Sequence, residues 1–108
     1  MENTVLTIAK QYIADNIERP FLVSDLAGYC YLSTKQLTRI FNEYEGITPG
    51  EYIKRERGIA VEKMLAESSF SLKQISEKMN FSNEYYFNEF FKKYSGMPPG
   101  EYRKMIGK

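Results

Sequence analysis

The chain has 108 residues, enough for one domain or for two small lobes sharing an element. It is 43% hydrophobic and 27% charged, with one cysteine and no histidine. These totals exclude an internal disulfide, a His-based catalytic triad and a His-containing zinc site, and no apolar run approaches the ~20 residues of a membrane span. No cofactor and no membrane partner are expected, and a reducing cytoplasm is the natural compartment. The net charge of +1 is low for a nucleic-acid binder. It is unevenly spread: residues 1–54 carry 5 basic and 7 acidic groups, and residues 55–108 carry 10 and 7.

The first helix is capped by Asn3 or Thr4, with Val5, Ile8, Ala9, Tyr12, Ile13 and Ile17 forming one apolar stripe, and Arg19-Pro20 ends it. A short second helix over about 23–31 turns Leu26, Ala27 and Cys30 inward, and Tyr31-Leu32 makes a turn. Leu22 stands where a polar cap is wanted, so this helix starts weakly. Ser33 starts the third helix, with Gln36 completing a capping box. Leu37, Ile40, Phe41 and Tyr44 form its buried face, and Gly46 stops it.

Thr48-Pro49-Gly50-Glu51 combines a hydroxyl cap, proline at the first helical position and glutamate at the third. The helix it opens runs to about Glu67, roughly 30 Å at ~1.5 Å per residue. Gly58 at its midpoint is expected to act as a hinge where leucine would raise stability, the competing idea being that a neighbouring bulky side chain already fills the space. Ser71 with Gln74 caps a fifth helix burying Leu72, Ile75 and Met79, and Asn80-Phe81 is a turn. Ser82 is expected to cap a sixth helix reaching Tyr94 and burying Phe87, Phe90, Phe91 and Tyr94, which Gly96 terminates. Pro98-Pro99 starts a last helix through Tyr102. No stretch reads as a strand.

The chain states its plan twice. Phe41–Lys54 set against Phe91–Lys104 shares Phe, Tyr, Gly, Pro, Gly, Glu, Tyr and Lys at matching positions. Upstream, at an offset of 49, Leu26 answers Ile75, Cys30 answers Met79, Leu32 answers Phe81 and Ser33 answers Ser82, before one extra residue resets the offset to 50. Two copies of a helical unit make a duplicated module. Each copy runs short helix, tight turn, longer helix, proline-started helix, which is the helix-turn-helix order. The fold expected is all-α, with two such subdomains (residues 1–47 and 69–108) joined by a central helix (48–68), about seven helices in all.

At Leu26-Ala27, Ser33, Leu37, Phe41, Gly46, Pro49, Tyr52-Ile53, Arg57, Leu65 and the tract from Ile75 through Asn80-Phe81-Ser82, Tyr86-Phe87, Phe90-Phe91-Lys92-Lys93, Gly96, Pro99 and Tyr102-Arg103, the chain resembles the DNA-binding domain of the AraC/XylS family of bacterial transcription regulators. The resemblance implies a sequence-specific binder of double-stranded DNA, with two recognition helices entering successive major-groove segments, and not an enzyme. It favours the C-terminal domain of a larger regulator over a free-standing small one, with RNA polymerase as a candidate further partner, and the internal repeat itself leads to the expectation of a monomer when isolated. Ser76 replaces the family's usual small apolar residue, Asn80 its glycine and Gly58 its large aliphatic residue.

The face of the third helix opposite Leu37 and Phe41 carries Thr34, Lys35, Thr38, Arg39 and Asn42. These suit base edges: Arg or Lys pairs with guanine, Asn with adenine, and threonine offers a hydroxyl and a methyl. The resemblance places base contacts at Lys35, Thr38 and Arg39, with Gln36 nearer the phosphates. Fifty residues on, the matching face is Glu84, Tyr85, Asn88, Glu89 and Lys92. Its two glutamates repel phosphate unless one accepts from cytosine, so this lobe is expected to bind chiefly by positioning, through Lys73, Lys92, Lys93 and Lys104. Cys30 answers Met79 and so reads as packing, not as a nucleophile, and the Phe87-Phe90-Phe91-Tyr94 stripe reads as core. A competing reading keeps the fold but docks protein, which the near-neutral charge would suit. Salt-dependent retention on heparin or DNA separates the two.

Overall fold

The computed structural model describes residues 3–107. Among them are seven helices and no strand: α1 (Thr4–Asp15), α2 (Val23–Tyr29), α3 (Thr34–Glu45), α4 (Pro49–Glu67), α5 (Leu72–Lys78), α6 (Glu84–Ser95) and α7 (Pro99–Met105). The chain divides into two compact units between Lys54 and Arg55, so α4 starts in the first and has its larger part in the second.

In the first unit, Asn3 Oδ1 accepts from the Val5 and Leu6 amides at 2.9 and 3.2 Å and starts α1. The helix ends at Asp15, well before Arg19-Pro20, because Asn16 caps it: Asn16 Nδ2 donates to the Tyr12 carbonyl at 2.8 Å, and Arg19 Nε donates to Asn16 Oδ1 at 2.6 Å. Its buried stripe is Leu6, Ala9 and Ile13, while Ile8 is 43% exposed. The apolar residues of α1 cover more than one face, and packing rather than spacing chose which was buried.

α2 ends at Tyr29, two residues short of expectation. Tyr31 takes a left-handed φ of 59° and the Leu32 amide returns to the Ala27 carbonyl at 2.9 Å. Cys30 is thereby the C-cap, half-buried beside the fully buried Leu26 and Ala27. Leu22 offers no side-chain cap, but Asp25 accepts from its amide at 2.8 Å. At α3 the capping box is complete, Ser33 Oγ accepting from Gln36 N at 3.1 Å and Gln36 Oε1 from Ser33 N at 2.9 Å. Leu37 and Phe41 are buried and Ile40 half-buried, whereas Tyr44 is 45% exposed, contrary to expectation, since a lobe of three short helices covers only a narrow stripe. Gly46 ends the helix at a φ of 74° that few other residues adopt.

Thr48 and Glu51 exchange the same pair of hydrogen bonds at the start of α4, at 3.2 and 3.0 Å. Accepting from the Thr48 amide and hydroxyl holds the Glu51 carboxyl below its usual pKa. Tyr52 and Ile53 then close the first core, the Tyr52 ring standing edge-on to Phe41 at 5.4 Å.

The second unit repeats the scheme around Val61, Leu65, Ile75, Met79, Phe87 and Phe91. Ser71 and Gln74 box α5 at 3.0 and 2.8 Å, and Asn80 takes the left-handed turn position at φ 60°. Leu72 is half-buried and Ser76 is buried in the place of a small apolar residue. Two boundaries differ from expectation. The cap of α6 is Asn83, not Ser82: its Oδ1 accepts from the Tyr86 amide at 3.1 Å, so the extra residue of this copy precedes the cap. α7 continues past Tyr102 to Met105, where Arg103 donates to the Leu65 carbonyl at 3.2 Å and to the Phe70 carbonyl.

Gly58 leaves no vacancy. A Cβ built there would overlap the ring of Tyr94, whose hydroxyl donates to Glu62. The expectation that leucine would fill a gap at this position is overturned, because an α6 side chain already occupies it.

The copies align at three offsets. α1 and α4 end 52 residues apart, and the buried sets Leu6-Ala9-Ile13 and Gly58-Val61-Leu65 share that spacing. The first residues of α2 and α5 lie 49 apart, and those of α3 and α6, like those of α4 and α7, lie 50 apart. Lys10 and Glu62 are thus equivalent with opposite charge. Lys10 pairs with Glu45 at 3.1 Å and lies over the Tyr52 ring, whereas Glu62 accepts from the Tyr94 and Tyr102 hydroxyls.

Candidate nucleic-acid interface

α3 and α6 are the second helices of their helix-turn-helix units, and each buries only its Leu37-Phe41 or Phe87-Phe91 face. On α3, Thr34, Lys35, Gln36, Arg39 and Asn42 are exposed and Thr38 is half-buried. Lys35, Gln36, Thr38, Arg39 and Asn42 together line one shallow groove of about 410 Å³. Among the described residues no carboxylate pairs with Lys35 or Arg39. Gln36 has its Oε1 committed to the Ser33 amide, which leaves its Nε2 as the donor.

On α6, Glu84, Tyr85 and Glu89 are exposed and Asn88 is half-buried. Tyr85 stands edge-on to Tyr86 at 5.3 Å, and Tyr86 is itself 56% exposed. Pattern reading missed Tyr86 as a surface group; its signal is the match to Gln36 at offset 50, which appears once α3 and α6 are aligned from their caps. Lys92 and Lys93 are exposed in the last turn, where cations are favoured by the helix dipole. Lys92 and Lys104 border one depression with Asn88 and Glu89, while Lys93 borders another with Tyr86, Glu89 and Lys92. Lys73 is exposed near the start of α5. The structure therefore gathers Lys35, Gln36, Thr38, Arg39 and Asn42 onto one surface, and sets Lys92, Lys93 and Lys104 around depressions that Glu89 also borders.

None of the helices among the described residues is long and apolar enough to cross a membrane. A duplicated helix-turn-helix fold with two outward-facing second helices defines the class: a DNA-binding domain of the transcription-regulator type.

The comparisons agree. The family described as "Helix-turn-helix domain" matches residues 26–105. A crystal structure of a Chromobacterium violaceum transcriptional regulator, described among AraC-type DNA-binding domain-containing proteins, is 30% identical and superposes with a TM-score of 0.84 over 96% of this chain and 93% of that one. The DNA-binding domain of AdpA in complex with a target DNA shares the fold, with a TM-score of 0.85 at 20% identity over 95% of this chain and 93% of that one. The HTH-type transcriptional regulator YfiF of Bacillus subtilis is 29% identical over 95% of this chain, which covers 32% of that protein. The chain spans less than half the length of the curated relatives it matches. This chain belongs to the AraC-type helix-turn-helix family of transcription-regulator DNA-binding domains.

Proposed function

We propose that the chain reads double-stranded DNA with α3 as its principal base-reading helix and α6 as a second helix that positions more than it reads. The observation that carries this is the groove on α3, where Lys35, Thr38, Arg39 and Asn42 stand together with donors and acceptors turned outward. Arg39 and Lys35 suit guanine, Asn42 suits adenine, and Thr34 and Thr38 suit a thymine methyl. Gln36, Lys73, Lys92, Lys93 and Lys104 hold phosphates, and Tyr85 and Asn88 supply base contacts of α6, with one of Glu84 and Glu89 accepting from a cytosine amino group. The duplication supplies within one chain the two reading helices that a dimeric helix-turn-helix protein takes from two, which supports binding as a monomer. In a longer regulator this unit acts as the DNA-reading part.

Selection from random duplexes with the isolated chain tests the proposal. One enriched motif is expected, bound with an affinity that falls as salt rises. Failure to enrich any sequence, together with salt-independent passage over heparin and DNA columns, would favour the protein-docking reading.

A further inference from the structure

Arg57 is missing from the face offered to DNA, yet it is tied to the turn that aims α6. Its side chain leaves α4 half-buried, and burial lowers the guanidinium pKa from its ordinary value. Nη2 donates to the Met79 carbonyl at 2.9 Å, and the guanidinium carbon lies 5.0 Å from the centre of the Phe81 ring. Met79 is the C-cap of α5, whose last carbonyls lack helical partners. Phe81 packs on Phe87 and Phe90 of α6, at 5.4 and 5.3 Å between ring centres. Between them stands Asn80 in its left-handed conformation. One planar cation thus holds the carbonyl on one side of the turn and the aromatic ring on the other.

Among the described residues of the first unit no arginine occupies the equivalent place. The 52-residue offset between α1 and α4 puts Val5 at the place of Arg57. There Val5, Ile8, Cys30 and Tyr31 border an open groove of about 410 Å³ beside the turn.

We propose that Arg57 is a positioning residue for the second reading helix: by bridging Met79 and Phe81 it fixes the angle between α5 and α6, and so the register in which α6 meets the bases. This rests on the DNA-reading role proposed above. Arginine is required because a lysine can donate to the carbonyl but has no planar face for Phe81.

The test repeats duplex selection and titration with Arg57→Met and Arg57→Lys, each well below its melting temperature. Arg57→Met should lose about tenfold in affinity for the wild-type motif and little for random DNA, the scale of one lost charge-assisted hydrogen bond. Its base preferences should flatten in one half of the motif only, with the salt dependence unchanged because no phosphate contact is removed. Arg57→Lys should recover part of the preference. If Arg57→Met does not fold, Arg57→Lys carries the test, with flattening confined to one half expected. Equal losses on motif and random DNA, flattening in both halves, or wild-type preferences in every folded variant would overturn the inference. A wild-type chain that enriches no motif would overturn the DNA-reading role itself, and this inference with it.

Discussion

The ring of Tyr94 lies where a side chain at Gly58 would have to go. Glycine in a helix interior costs up to ~1 kcal/mol relative to alanine, so its presence in α4 needs a reason. The reason is close approach: Tyr94 crosses α4 at this point with its hydroxyl on Glu62. Gly58→Ala should therefore destabilise the protein by about 1–3 kcal/mol, the range for overpacking a filled site. In a Tyr94→Ala background the same change should instead stabilise, by up to ~1 kcal/mol from helix propensity. Chemical denaturation of the four proteins checks the sign reversal; a gain from Gly58→Ala with Tyr94 present would refute the close-approach account.

Burial, and then the hydrogen bond and charge of Glu62, push the Tyr94 hydroxyl up to about 12, and Tyr102 is shifted upward by the same causes. A phenol whose pKa is higher folded than unfolded stabilises fully below the unfolded value of about 10, and that contribution is lost as pH rises from there toward the folded value. Stability should fall between pH ~10 and ~12 more steeply in the wild type than in Tyr94→Phe. Urea midpoints measured across that window supply the comparison, and parallel curves would mean that Tyr94 is not linked to folding.

The register of α6 is testable at its cap. Asn83→Ala should cost about 0.5–2 kcal/mol, as caps of this kind do, while Ser82→Ala should be close to neutral. Thermal melts of the two variants distinguish them, and the reverse order would restore Ser82 as the cap.

Arg39 and Lys93 separate reading from holding. Arg39→Ala should lose ~1–3 kcal/mol on the selected motif and much less on random DNA, if its guanidinium meets a guanine. Lys93→Ala should weaken both DNAs alike and reduce the salt slope by about one, as one phosphate contact fewer requires. Titrations on both DNAs at several salt concentrations decide. Equal losses for Arg39→Ala would move base reading to another α3 residue.

The sequence alone determined the elements whose causes lie within a few residues of one another. The Ser33-Gln36, Thr48-Glu51 and Ser71-Gln74 boxes, the left-handed positions at Gly46, Asn80 and Gly96, and the proline-led starts of α4 and α7 are all local hydrogen-bond or backbone effects, and each stands as read. The exposed face of α3 followed too, since burying Leu37 and Phe41 turns Lys35 and Arg39 outward at helical spacing. Tertiary structure decided what depends on residues far apart in the chain. It buried Leu6 and left Ile8 out, exposed Tyr44, set Tyr94 against Gly58, and carried Arg57 to the Met79 carbonyl. A hydrogen bond to a neighbour two to four residues away needs only local geometry. A buried ring or a buried guanidinium needs a partner surface that exists only once the helices have packed.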